Sequence, residues 1–96
     1  MLTIEKLLWD SWNRAHIARH KVTVDEVEEI CQSDPVVQQG KKGRLLIYGI
    51  TNNGRVLTIV LDPEEKIGVY YPVTAHISSK KERRIYKFEK GGDKND

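Results

Sequence analysis

The sequence predicts an α+β domain with two N-terminal helices, a three- to four-stranded antiparallel meander sheet and a short C-terminal helix. Three observations carry this expectation. Thr23 followed by Glu26, and Ser79 followed by Glu82, each fit a capping box, in which a hydroxyl and a carboxylate satisfy free N–H groups at a helix start. Between these boxes, after Asp34-Pro35, the apolar period changes from 3.6 to 2. Finally, Asn52-Asn53-Gly54 and Asp62-Pro63-Glu64-Glu65-Lys66 punctuate the alternating region as turns. Helices segregated from an antiparallel sheet pack on its face.

Taken in order, residues 4–9 read as a short edge strand or the lead-in to a helix. Asp10 is a good N-cap for a helix over 11–20, with Trp12, Ala15 and either His16 or Arg19 on the expected inner face. The second helix spans 24–32. Val22 and Val27 are placed as a hydrophobic staple around its cap, Val27, Ile30 and Cys31 face inward, and Asp25 and Glu26 complement the positive end of the helix dipole. Gly40-Lys41-Lys42-Gly43 is a basic loop. Strands follow over 44–50, 55–61 and 67–75. Pro72 lies inside the third strand and cannot donate to a ladder, which predicts a bulge or an edge there. The last helix starts at Ser79 and runs to about residue 88.

The chain has 96 residues, 31% charged and 39% hydrophobic, which suits one domain. We expect that domain over 1–90 and a disordered polar tail over 91–96. A net charge of +2 gives no bulk argument for a polyanionic partner, so only the local distribution can supply one. That distribution is uneven: Lys80, Lys81, Arg83, Arg84, Lys87 and Lys90 crowd the last helix against Glu82 and Glu89. The single Cys31 suits a reducing compartment and reads as a small buried hydrophobe. Neither a signal-peptide pattern nor an apolar run of membrane-spanning length occurs, so a cytoplasmic protein without membrane contact is expected. His16 and His20, spaced i, i+4, can chelate a metal from one helix face, but no third ligand with matching spacing follows and no metal is expected. Trp9 and Trp12 read as core or core-edge residues. Tyr70, Tyr71 and Tyr86 read as packing groups, one of which can serve a base as a stacking surface.

The stretch 74–86 carries the most chemistry. His76 ends a strand, a polar turn follows, and the helix then presents Lys80, Arg83, Arg84 and Lys87 on one face (i, i+3, i+4, i+7). Such a surface can handle phosphate; it can equally be a solvated face.

The motifs Trp9-Asp10, Arg19-His20-x-Val22-Thr23 with Glu26, Gly43-Arg44, Gly49, Gly54-Arg55, Thr74-Ala75 and Glu82-Arg83-Arg84-x-Tyr86 resemble the BrnT group of type II toxin–antitoxin ribonucleases, within the RelE-like superfamily. The resemblance covers roughly residues 8–87. It implies a RelE-like fold and a metal-independent endoribonuclease that needs no cofactor, acts on RNA and is neutralised by a cognate antitoxin. Carried over by position, it implies catalytic roles for Arg44, Arg55, His76, Glu82 and Arg83, with Lys80, Arg84 and Lys87 binding RNA or the antitoxin. The chain departs from the family pattern at His76, where an arginine is usual after Thr-Ala, and at Lys41-Lys42-Gly43, where an acidic segment is usual. These departures leave a second reading open, a non-catalytic RelE-like module that binds protein or RNA with a degenerate site. A housekeeping RNA-binding protein is a third.

Overall fold

A computed structural model describes residues 3–91. Residues 92–96, most of the expected polar tail, lie outside the described residues. The elements run β1 (Lys6–Leu7), α1 (Ser11–Arg19), α2 (Val24–Gln32), β2 (Val36–Gln39), β3 (Leu45–Ile50), β4 (Val56–Pro63), β5 (Val69–Ile77) and α3 (Lys80–Glu89). The α+β class is as expected, but the sheet is not a three- to four-stranded meander. It has five strands in the order β1-β5-β4-β3-β2, and it is mixed, because β1 pairs parallel to β5 through Lys6–Val69 and Leu7–Tyr70. Strands β2 to β5 form the antiparallel part.

Local chemistry explains the boundaries. Asp10, Thr23 and Ser79 each cap a helix in a full capping box, the N3 partners being Asn13, Glu26 and Glu82. The β3–β4 hairpin closes with Thr51 N–H on the Arg55 carbonyl at 2.9 Å and Gly54 N–H on the Thr51 carbonyl at 3.0 Å. Gly54 takes φ 89°, the left-handed conformation that this turn demands and that glycine adopts without strain. The expected irregularity at Pro72 is present: Val60 pairs with Thr74 while Leu61 pairs with Pro72, so Val73 is an extra, bulged residue.

The register gives the sheet two unlike faces. One carries Leu45, Ile47, Leu57, Ile59, Leu61 and Ala75, all buried beneath Ile17, Val27, Ile30 and Cys31 of the first two helices. Gly49 lies on this face, and a Cβ built there would come within 2.5 Å of Ile30 Cγ2, so α2 reaches the sheet because residue 49 has no side chain. The staple residues Val22 and Val27 are both buried in this core. The other face carries Tyr48, Thr58, Thr74 and His76, and α3 packs over β3 on that side.

The inner face of α1 differs from expectation. Asn13 and Ile17 are its buried residues, whereas Trp12 is 56% exposed and Ala15 is also exposed. The reason is positional. β1 pairs with β5 only at Val69 and Tyr70, and α1 flanks the rest of that strand. The Asn13 amide donates to the Leu8 carbonyl at 3.0 Å and to the Pro72 carbonyl at 3.1 Å, holding the helix against the bulge. A buried amide with both donors satisfied fixes the rotation of α1 more strictly than one apolar contact would.

Candidate active site

That rotation lets α1 straddle the edge of the sheet. Ile17 enters the core while His16 reaches the second face, its Nε2 3.2 Å from Thr74 Oγ1. Trp12, His16 and His20 recur at i, i+4 and i+8 and so line up along one side of the helix. Trp12 and His16 are stacked, with ring centroids 5.1 Å apart and planes within 6°. His16 and His20 meet edge-on at 5.2 Å, and His20 meets His76 of β5 edge-on at 6.4 Å. The i, i+4 histidine pair noted in the sequence thus belongs to a row of three imidazoles.

At the end of that row stands Glu82. Its backbone N–H donates to Ser79 Oγ at 3.1 Å, and its Oε1 accepts from Ser79 N–H at 2.8 Å. The same Oε1 lies 3.1 Å from His76 Nε2. Capping α3 therefore also aims the carboxylate at the strand end. Burial raises the Glu82 pKa, but hydrogen bonds from Ser79, His76 and Thr58, together with the His76 charge, outweigh it and hold the carboxyl below its ordinary 4.5. At neutral pH Glu82 is ionised and can only accept, so His76 Nε2 carries the hydrogen in this contact. His76 Nδ1 is then the nitrogen left to take or give a proton. Thr58 Oγ1 and Ser78 Oγ are 2.8 Å apart in the buried floor. Tyr48 is buried beside them, and burial, then the Glu82 charge, raises its phenol pKa.

The remaining residues expected from sequence are distributed more widely. Arg83 follows Glu82 and donates to the Ser78 carbonyl at 2.9 Å, two residues beyond His76 in the chain. Lys80 and Arg84 are exposed on α3, while Lys87 joins Arg83, Tyr86, Lys90 and Val56 around a shallow groove. Arg44 and Arg55 are not brought together. They precede consecutive antiparallel strands, so the six residues of β3, at ~3.4 Å each, separate them by roughly 20 Å. Arg44 pairs with Asp62 at 2.5 Å at the far end of the hairpin. Arg55 binds Glu26 Oε2 at 2.8 Å and the Lys21 carbonyl at 2.7 Å, tying the hairpin to the α1–α2 corner.

Among the described residues, no group of three or more His, Cys, Asp or Glu side chains is arranged to hold a metal ion, and no helix is long and apolar enough to cross a membrane. A separate cleft between the start of the chain and the α2–β2 corner is lined in part by Glu5, Cys31 and Asp34. Burial, then the charge of Glu28, pushes the Cys31 thiol up to about 12, so it is no nucleophile at neutral pH. Comparison of the chain with known protein families, curated proteins and solved structures found no match.

Proposed function

We propose that the chain is a BrnT-like toxin of RelE-like type, a metal-independent endoribonuclease that acts on cytoplasmic RNA and is neutralised by a cognate antitoxin. The observation that carries this reading is the His76–Glu82 pair, with the His20 imidazole 6.4 Å from His76. RNA cleavage without a metal needs a base for the 2′-hydroxyl, an acid for the departing 5′-oxygen and positive charge on the phosphate between them. In this reading neutral His76 takes the 2′-proton on Nδ1 while Glu82 holds Nε2–H and stabilises the imidazolium that forms. The 2′-oxygen attacks phosphorus, and the P–O5′ bond breaks as protonated His20 donates to the leaving oxygen. The products are a 2′,3′-cyclic phosphate and a 5′-hydroxyl. Arg83 stabilises the charge that builds on the non-bridging oxygens, and Lys80, Arg84 and Lys87 attract the polyanion or an acidic antitoxin segment. Arrest of growth on expression, relieved by His76→Ala in a protein that still folds, is the expected result; undiminished arrest by that variant contradicts the assignment.

One observation favours the alternative, a non-catalytic module that binds protein or RNA. Arg44 and Arg55, the strand arginines that the resemblance marks as catalytic, are each held in an ion pair, with Asp62 and Glu26, at opposite ends of the hairpin. Binding of RNA with no strand cut under any of these conditions would select that alternative.

A further inference from the structure

The proposed chemistry makes no use of Trp12, although it begins the row that ends at His76. We propose that Trp12 is a base-stacking platform for single-stranded RNA: an unpaired base lies on the open face of the indole, and the strand runs past His16 and His20 to His76. This rests on the nucleolytic reading and specifies its substrate as an unpaired strand.

Three features support the assignment. Trp12 keeps 56% of its surface in water although its neighbour Asn13 is fully buried, so the ring is not there to fill the core. His16 stacks on the indole at 5.1 Å and is itself 3.2 Å from Thr74, which holds the plane of the platform before any ligand arrives. Steps of 5.1, 5.2 and 6.4 Å then join the indole to His76 without a gap. The electrostatics suit a polyanion, since Arg19, seven positions on from Trp12, shares its side of α1 and the helix carries no acidic residue. Asp10 at its cap is engaged by the Asn13 N–H and the Tyr71 hydroxyl. Every base has a π-face, but a duplex hides those faces within its own stack, so a stacking platform selects unpaired strands.

The test uses the full chain and a short 2′-O-methyl RNA strand of mixed sequence, which lacks the attacking hydroxyl and cannot be cut. Binding is expected to quench indole fluorescence. Trp12→Ala should weaken it about 5- to 150-fold, the range for loss of one stacked base, with Trp12→Phe in between. Because the ring is half-exposed and outside the core, both variants should keep one cooperative thermal transition, with Trp12→Ala lowered only by its lost contact with His16. Equal affinity of the Trp12→Ala variant and the parent overturns the platform, as does equally tight binding of a blunt duplex by the parent. An indole that serves only a protein partner would give the first of these results. The two readings separate cleanly. Trp12-dependent binding with unmodified RNA left intact keeps the platform and removes the nuclease. Cleavage with a KM indifferent to Trp12→Ala does the reverse.

Discussion

Glu82→Gln separates the two jobs of one carboxyl. Glutamine at the third helical position can still accept from Ser79 N–H, so α3 keeps its cap, but it cannot offer His76 a charged acceptor. A hydrogen bond to a charged group contributes roughly 1.5–3 kcal/mol and a neutral one about 0.5–1.5 kcal/mol. The His76 side chain is 36% exposed, and solvent screening reduces the difference to about 0.5–1 kcal/mol. For a domain of this size that lowers Tm by roughly 2–8 °C at neutral pH. The pH dependence is the sharper signature. The folded-state pKa of Glu82 is below 4.5, so in acid the unfolded chain takes up the proton first. The stability contributed by ionised Glu82 is complete above about 4.5 and is lost as pH falls through the lower folded value. Urea unfolding over a pH series should therefore show the parent and Glu82→Gln separated at neutral pH and converging in acid. A gap that stays constant into acid refutes the pairing. The same variant should slow RNA cleavage on the order of 10²-fold, because His76 loses the group that orients it.

Three other substitutions probe the frame around the site. Gly49→Ala puts a methyl 2.5 Å from Ile30 Cγ2 and should cost about 1–3 kcal/mol in urea unfolding, with α2 displaced from the sheet. Asn13→Ala strands the buried Pro72 carbonyl and the part-buried Leu8 carbonyl; it should cost about 1–3 kcal/mol and should also reduce cleavage, since α1 carries His16 and His20. Arg44→Ala removes an exposed pair with Asp62, so unfolding should shift by less than about 1 kcal/mol and cleavage should be unchanged. Loss of cleavage there would return Arg44 to the catalytic set.

What the sequence revealed was mostly local. The Thr23–Glu26 and Ser79–Glu82 boxes and the turn at Asn52-Asn53-Gly54 rest on contacts spanning a few residues, and the irregularity at Pro72 on the N–H that proline lacks, so each was readable. The parallel pairing of β1 with β5 was not, because two residues paired some sixty positions away leave no periodic trace. Strand β2 was missed for a similar reason, as Val36-Val37-Gln38-Gln39 is too short to show alternation. The rotation of α1 was misjudged because Trp12 is the largest apolar residue there. The buried group is Asn13, whose burial is justified only by carbonyls at Leu8 and Pro72. His76 and Glu82 were named from sequence, but the approach of His20 depends on that rotation. The separation of Arg44 and Arg55 was available in principle: residues preceding the two strands of a hairpin always lie at opposite ends of it.

The most direct measurement is incubation of the purified chain with unmodified single-stranded RNA in the presence of a chelator, followed by identification of the fragment ends. The account predicts cleavage to 2′,3′-cyclic phosphate and 5′-hydroxyl ends, abolished by His76→Ala and strongly reduced by His20→Ala, with both variants folded. Intact RNA with the parent protein, or cleavage indifferent to His76→Ala, would contradict it.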